Sequence, residues 1–596
     1  MSNILDYIIA EENKYQTTPV PIIEGYEWSM FKHVKLTTLY LNSVYESGNS
    51  DDKPYKNIIL DKVNLQHRAI EFDVKDVDAF VDNPDHYYKS FLTRKFHTRW
   101  ARQNGIGEFF DRCAEIFTDY GGVLAKKNVR GARPEIVAWN KIAFVDQTDI
   151  LNNPICLRHF YTPDQLLAEN WNKEEAKYLI TMASERNDKK ETAQSGQRIE
   201  SPNVQIKVYE LHGVLPETFL DEEGDPFNYL RQMHIVGAYK DKDGKNQSVT
   251  LFKGKQKENL FKLAKRDPID GRALGRGGVE ELFEDQVWVN YNEIQQKALL
   301  DQASKILYQT ADKGFTTRNK KVADLQQGDV LVHEENMPVS QINTQAVNFP
   351  LFANAMQRWD EHAKTVSGAY DVIAGESPKS GTAFRTVAVL NQEAHSLHRY
   401  RKQQLGRWIE EIYRDWILEF LVAEMMNEQL FMETLSQDEM EEIANNIATQ
   451  EANKLLLERS SKLELPTQEE IDAVKEGAKM NFMAGGNKRF FKILKEELKD
   501  LPIDVHVLIT DEQRNNAFIA DKLSSVFAQV AQNPTILQDS YARKLFNDIL
   551  ELSGLSPVQY NQTVKTKPAE SLPEIPSGAP PKAEQTNAVE TGATAQ

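Results

Sequence analysis

The part of the chain that most limits its fold is the stretch 279–431, where apolar residues recur at steps of three and four. This spacing predicts three long helices, over 279–312, over 348–368 and from 382 onwards. The third would extend roughly 70 Å at the usual rise per residue. Helices this long exceed the usual ~8–20 residues, and their second faces need lateral partners. The stretch therefore predicts a subunit of a large assembly.

Single residues add detail to these helices. The apolar positions of the first helix include Val279, Leu282, Val287 and Tyr291, which we expect to be packed. Gly406 predicts a kink in the third helix.

Composition limits the classes of partner. The chain has 596 residues and a net charge of −18. Such acidity disfavours tight nonspecific DNA binding, which needs cations on phosphates, but it allows a surface past which DNA slides, or solubility alone. We expect neither signal peptide nor membrane span. Cys113 and Cys156 form no CxxC or Cys/His cluster, which indicates a reducing compartment or no dependence on disulfides.

The overall pattern predicts an α+β fold that is mainly α. Thr162 and Pro163 are expected to begin a short helix, with threonine as the N-cap and proline at the first helical position. Helical regions are expected over 86–120 and 437–498 and strand-like runs over 56–63, 69–74, 136–145, 204–211, 233–239, 248–252 and 502–510.

Two glycine-containing loops invite a nucleotide-binding interpretation. In the loop from Gly375 to Thr382, Pro378 stands where a phosphate-binding P-loop needs glycine, and the spacing is one residue short, so we reject that site. The loop from Gly271 to Gly278 lacks the Rossmann order of glycines. Its glycines predict close backbone approach instead, and Arg272 and Arg276 are expected to contact other chain segments or subunits.

The other candidate metal-binding and catalytic residues have little support from the sequence. His395 and His398 lie three residues apart on one helix, but zinc needs further ligands, so two solvated or interface histidines are the better interpretation. Asp146 and Asp149 fit a turn better than a two-metal site. No serine-nucleophile or zinc-protease motif occurs, and we expect neither catalysis nor a cofactor. We expect the basic positions Arg399, Arg401, Lys402 and Arg407 to balance Glu410 and Glu411.

The order of helix, small insertion, helix, tight loop and long helix resembles the portal proteins of tailed double-stranded DNA bacteriophages. The similarity covers residues 85–560 as an order of elements. It is carried by 277–286 with Asn290 and Asn292, by 367–375 with the Ser-Gly-Thr-Ala run from Ser380, by 162–167 and 208–216, and by 502–510.

The resemblance implies a portal fold built from a mixed wing domain, a stem, a clip and a crown. The implied parts are an N-terminal wing segment (1–84), the wing domain (85–278), two stem helices (279–312 and 348–370), the clip (313–347), the tunnel loop (371–381), wing helices with a closing strand (382–510), a helical crown (511–560) and a disordered tail (561–596).

The resemblance also implies a function. A homododecameric ring would form the DNA channel at one capsid vertex of the virion, after assembly in the host cytoplasm. Its partners would be double-stranded DNA, the terminase motor, the head–tail adaptor and the major capsid or scaffold protein, with no membrane. The tunnel-loop residues facing DNA would be Glu376, Ser377, Pro378, Lys379 and Ser380, and the clip residues facing partners would be Arg318, Lys320 and Lys321.

Two alternatives stay open on the sequence alone. One is a nucleic-acid-processing enzyme, and the other is a different helical adaptor of a virion or of the cytoplasm.

Overall fold

The computed structural model describes residues 4–81, 87–128, 133–187, 204–240, 244–303, 307–319, 331–342, 349–368, 384–425, 437–461, 466–483 and 503–507. The chain divides into a larger unit, Met1–Thr434 with Phe490–Ile509, and a smaller unit, Leu435–Arg489 with Thr510–Gln596. Helix outweighs strand, which confirms the α+β class. In the described part, no helix is long and apolar enough to cross a membrane.

Most of the described helices belong to the larger unit. They are α1 (Ile4–Thr17), α2 (Met30–Leu41), α3 (Ile59–Ile70), α4 (Tyr87–Gln103), α5 (Ile106–Tyr120), α6 (Pro163–Ala168), α7 (Lys173–Asn187), α8 (Gly278–Glu281), α9 (Phe283–Ala303), α10 (Phe315–Arg318), α11 (Phe349–Ser367), α12 (Phe384–Ile412) and α13 (Leu418–Met425).

The strands of this unit pair antiparallel throughout. A five-stranded sheet has the order β10-β9-β8-β7-β6, a three-stranded sheet has the order β11-β4-β5, and three two-stranded sheets join β1 to β2, β12 to β13 and β14 to β3. The strands are β1 (Val20–Ile23), β2 (Tyr26–Trp28), β3 (Val77–Val81), β4 (Gly122–Lys126), β5 (Glu135–Val137), β6 (Ile142–Phe144), β7 (Ile155–Tyr161), β8 (Ile206–Pro216), β9 (Tyr229–Lys240), β10 (Asn246–Lys255), β11 (Phe261–Lys265), β12 (Leu307–Gln309), β13 (Ser340–Ile342) and β14 (Ile503–Val507).

One face of the five-stranded sheet packs under α6 and α7. Leu166 and Leu179 from the helices meet Val208, Ile235 and Val249 from β8, β9 and β10 in one apolar cluster. The alternation that predicted these strands is therefore confirmed. The predicted start of α6 is also confirmed, since the Thr162 side chain accepts from the Gln165 backbone N–H in a capping box.

The predicted strands over 56–63 and 69–74 are wrong. Residues 59–70 form α3, in which Ile59, Val63, Gln66 and Ile70 are buried. These positions are three or four apart and so share one helical face, and packing on that face outweighs the strand preference of Ile and Val.

The helical region expected over 86–120 is divided at Gly105. This residue has φ +62°, a left-handed conformation that glycine adopts without steric strain. The apolar face of α5 then starts a new helix, and Phe109, Phe110, Cys113 and Phe117 are buried on it.

The first long helix differs from the prediction. It is divided into α8 and α9, it ends at Ala303, and β12 follows within the expected helix. The pairing of Leu307 with Ile342 joins the two ends of the insertion between α9 and α11.

The third long helix is α12, which is continuous through Gly406 where a kink was predicted. A π-helical turn at Tyr413–Ile417 follows it instead. The expected tunnel loop (371–381), crown (511–560) and tail (561–596) lie outside the described residues.

The smaller unit contains two described helices, α14 (Gln437–Ser461) and α15 (Gln468–Met483). They contact each other, and Ala444, Ala448 and Ala452 are buried at four-residue steps on α14. Small side chains at this spacing let two helices approach closely.

Candidate assembly surface

Helix α9 has an unusual distribution of side chains, because it buries several polar residues beside Val289 and exposes several large apolar residues. Asp285, Gln286, Asn290, Asn292 and Gln296 are all less than a tenth exposed. On the other side Val287 is 40% exposed, Trp288 43%, Tyr291 51% and Leu300 53%. A helix on the surface of a globular protein normally has the opposite arrangement.

The buried polar side of α9 binds the loop that leads into α3. The Ile58 backbone N–H donates to Gln286 Oε1 at 2.8 Å, and Gln286 Nε2 donates to the Lys56 carbonyl at 2.6 Å. The Lys56 backbone N–H donates to Asn290 Oδ1 at 3.2 Å. These side chains satisfy backbone groups that would otherwise be buried without partners, which explains why polar residues lie inside.

Helix α11 packs beside α9 through aromatic and charged contacts. The rings of Trp288 and Trp359 stack with centroids 5.8 Å apart and planes 3° apart. His362 Nδ1 lies 2.7 Å from Asp285 Oδ1, and burial raises the pKa of Asp285. Lys62 of α3 pairs with Asp360 at 2.5 Å. The α9–α11 pair is thus attached to α3, while Val287, Trp288 and Tyr291 of α9 each keep 40% or more of their surface exposed.

A buried ion cluster joins α12 to the start of this helix pair. Arg401 Nε donates to Asp267 Oδ2 at 2.9 Å, and its Nη2 lies 2.5 Å from Glu281 Oε1. Arg266, which is fully buried, binds the other oxygen of Glu281 at 2.9 Å. Burial lowers the pKa of Arg266 to about 10, so it stays charged at neutral pH. Arg401 was expected to balance Glu410 and Glu411, and this expectation is wrong because Asp267 and Glu281 surround it.

The glycines of the loop between β11 and α8 allow two backbone segments to approach closely, as predicted. A Cβ at Gly275 would lie 1.6 Å from the Arg266 carbonyl oxygen, and one at Gly277 would lie 2.5 Å from the Asp119 carbonyl oxygen. Only glycine permits such close approach of two backbones.

Arg272 contacts other chain segments, as expected. Its guanidinium binds both oxygens of Glu280, at 2.8 and 2.9 Å, and lies 4.4 Å from the centre of the Trp28 ring. Although burial opposes it, the Arg272 hydrogen bonds hold the pKa of Glu280 below its ordinary value. The loop is therefore a structural junction between β2, α8 and α12.

A second buried cluster joins the five-stranded and three-stranded sheets. The Glu210 carboxylate on β8 accepts from Lys126 of β4 at 2.5 Å, from His159 at 3.0 Å and from His212 at 2.9 Å. Burial alone would raise the pKa of Glu210, but these donors hold it well below its usual range. The Glu210 carboxylate is thus charged, and it binds three donors that come from the two sheets.

The predicted contact residues are only partly described. Glu376, Ser377, Pro378, Lys379 and Ser380 of the expected tunnel loop, and Lys320 and Lys321 of the expected clip, lie outside the described residues.

Arg318, the remaining residue of the expected clip site, binds within the insertion. It pairs with Asp312 and with Glu334, the latter at 3.3 Å. Asp312 also accepts the Gly314 and Glu334 backbone N–H groups, and despite burial these bonds lower its pKa. The side chain of Arg318 is still 39% exposed, so its partner-facing role stays a prediction.

Two other candidate sites have structural roles. Asp146 accepts the backbone N–H groups of Thr148 and Asp149, which confirms a turn. His398 is buried with Nε2 3.2 Å from the Gly368 carbonyl oxygen, so the expectation of a solvated or interface residue is wrong for it. Within the described ranges, no group of three or more His, Cys, Asp or Glu could hold a metal ion.

The sequence already showed Val287 and Tyr291 as apolar, but it placed them on a packed face. Trp288 was missed. The signal that could have identified this side is the set of amide residues between these apolar positions, Gln286, Asn290 and Asn292, which the protein buries.

No protein-family model matches the sequence, and no curated protein matches it. Among solved structures, the chain is similar to a chain of the "Virion of native gene transfer agent (GTA) particle", with a TM-score of 0.30 and 9% sequence identity. That match covers 92% of this chain and 99% of the other. A similarity of this size does not establish a shared fold.

Proposed function

We propose that this protein is the subunit of a closed ring that forms the DNA channel at one vertex of a viral capsid. The observation that carries the ring is the uncovered apolar side of α9, with Val287, Trp288 and Tyr291 between 40% and 51% exposed. Apolar surface of this kind marks a protein–protein contact. In a ring, a neighbouring copy of the chain would cover this apolar surface.

The order of elements supports the portal form of such a ring. Helices α9 and α11 are adjacent and enclose an insertion held by the β12–β13 pair, as a stem and clip would be. The long helix α12 follows and is fixed to the same junction by Arg401. The net charge of −18 would keep DNA mobile, because an acidic channel repels phosphates.

The first test is the mass and shape of the full-length protein, by light scattering and negative-stain microscopy. We expect rings of about twelve subunits with a central hole, since cyclic closure leaves no free interface. A monomer at every concentration and salt tested would contradict the ring, and nucleotide hydrolysis or DNA cleavage by a pure monomer would favour the enzyme alternative.

The apolar side of α9 can be tested by mutation. Val287→Glu combined with Tyr291→Glu should convert rings to monomers, because charges would be buried without partners in the interface. Thr181→Glu on α7, an exposed position, is the control and should leave rings intact. Native mass spectrometry gives the subunit count, and rings that persist in the double variant would place the interface elsewhere.

A further inference from the structure

A second exposed apolar surface lies where β8 turns into β9. Phe227 is 87% exposed, Tyr229 59% and Val214 37%. The register pairs Pro216 with Tyr229 and Val214 with Arg231, so Val214 and Tyr229 lie on the same face of the sheet. Phe227 is in the turn two residues before Tyr229. We call these three side chains the tip patch.

The tip patch is held in place by the turn. The Glu217 backbone N–H donates to the Asn228 carbonyl at 2.8 Å, and Asn228 Nδ2 donates to Glu217 Oε2 at 2.8 Å. The Phe227 backbone N–H donates to Asp225 Oδ1 at 2.9 Å. Lys253 Nζ binds the Leu220 carbonyl at 2.9 Å, which attaches the turn to β10. These bonds fix the backbone of the turn, so a partner that covers Phe227 has to order only its side chain and not the loop.

The charge around the tip patch indicates the chemistry of the partner. Three cations lie at the patch, since Arg231 is opposite Val214, Lys255 pairs with Glu217 at 3.6 Å, and Lys253 binds the turn. They are outnumbered by the five carboxylates of residues 217–229, Glu217, Asp221, Glu222, Glu223 and Asp225. The last four are exposed. The negative charge of the turn disfavours nucleic acid and favours a partner that carries Lys or Arg.

We propose that the tip patch docks a basic amphipathic helix of another protein. The apolar side of that helix would cover Phe227, Tyr229 and Val214, and its Lys and Arg side chains would lie against the carboxylates of the turn. Apolar anchors supply the affinity in such helix-on-surface contacts, and complementary charge supplies the association rate and the orientation.

The experiment uses the full-length protein and a labelled synthetic peptide with Leu and Lys at helical spacing. Fluorescence anisotropy measures the Kd of this peptide. It is compared with the Kd of a scrambled peptide of the same composition and with that of a peptide with Glu in place of Lys. We expect the patterned basic peptide to bind at least about tenfold tighter than either. Phe227→Ser should weaken it roughly tenfold or more, as expected for an exposed aromatic anchor.

Matched variants separate this contact from general charge attraction. Phe160→Ser removes another exposed aromatic, on β7, and should leave the Kd unchanged. Glu222→Gln with Glu223→Gln should reduce the salt dependence of binding. Far-UV circular dichroism would show that each variant is folded.

Three outcomes would overturn the proposal. They are equal binding of the scrambled peptide, a Kd unaffected by Phe227→Ser, and duplex DNA binding that Phe227→Ser abolishes. The readout is peptide binding, so the result is independent of whether the protein forms rings.

Discussion

At the scale of single residues, buried charges are the main feature that sequence patterns miss. Arg401 was expected to balance Glu410 and Glu411, yet its side chain is 4% exposed and contacts two carboxylates from segments more than a hundred residues away. Helical periodicity predicts that an Arg side chain is exposed to solvent. Only contact with segments far away in the sequence can bury it. The same holds for Glu210 between the two sheets.

Replacing Arg401 tests the cluster. Arg401→Met should lower the free energy of unfolding by about 1.5–3 kcal/mol, because buried Glu281 would keep only Arg266 and Asp267 would lose its closest cation. Arg399→Met, at an exposed position two residues away, should change it by less than about 0.5 kcal/mol. Denaturant titration measures both. Equal stabilities of the two variants would mean that the cluster contributes nothing.

The titration of His234 predicts a pH dependence of stability. Burial, assisted by Lys253 and His212, lowers the pKa of His234 to about 4, whereas the unfolded side chain titrates near 6.5. Between these values the unfolded state binds more protons, so the free energy of unfolding should fall as the pH decreases from 6.5 to 4, by about 3 kcal/mol in all.

His234→Gln should flatten this decrease, because glutamine takes up no proton. The exposed His333→Gln is the control and should keep the wild-type slope. Urea unfolding at a series of pH values gives the slopes. Identical slopes for His234→Gln and wild type would show that other groups cause the decrease.

At the scale of elements, strong periodicity predicted element type better than element ends. Strands β8, β9 and β10 and the start of α6 were found as expected, whereas β7 was not predicted and the strand expected over 136–145 is divided into β5 and β6. The error at 56–74 arose because Ile and Val favour strands locally, while the spacing of Ile59, Val63 and Ile70 serves one buried helix face. The early end of α9 depends on the β12–β13 pairing, which joins residues far apart in sequence.

The glycine loop before α8 can be tested by adding one methyl group. Gly275→Ala should destabilise the larger unit by about 3 kcal/mol or more, because its Cβ would overlap the Arg266 carbonyl. Gly477→Ala, in α15 with open space around it, should instead be neutral or stabilise by up to about 1 kcal/mol. Hydrogen exchange of each unit reports the change locally, and a harmless Gly275→Ala would mean that the loop can relax.

At the scale of the whole molecule, the proposed ring explains features that a monomer does not. The apolar side of α9 needs a cover, and a closed ring of identical subunits supplies one without open-ended polymers. The acidity of the chain and the position of Lys379 in the expected tunnel loop fit weak, reversible contact with DNA.

Lys379→Glu tests that expectation. Rings should form as in wild type, while DNA packaging or retention should change, because one phosphate contact per subunit would become repulsive. Ser377→Ala in the same segment is a control that keeps the charge. Failure of Lys379→Glu to form rings would contradict the assignment of 371–381 as a tunnel loop.

The sequence by itself determined the α+β class, the order of long helices around a small insertion, three alternating strands of the five-stranded sheet (β8, β9 and β10) and the close approach at Gly275 and Gly277. These depend on local periodicity and backbone conformation, which neighbouring residues encode. The tertiary structure alone decided that α9 buries its amides and exposes Trp288, that Arg401 lies inside, and that Phe227 stands exposed on a fixed acidic turn. Burial is a property of segments that meet across long sequence separations, so no local pattern specifies it.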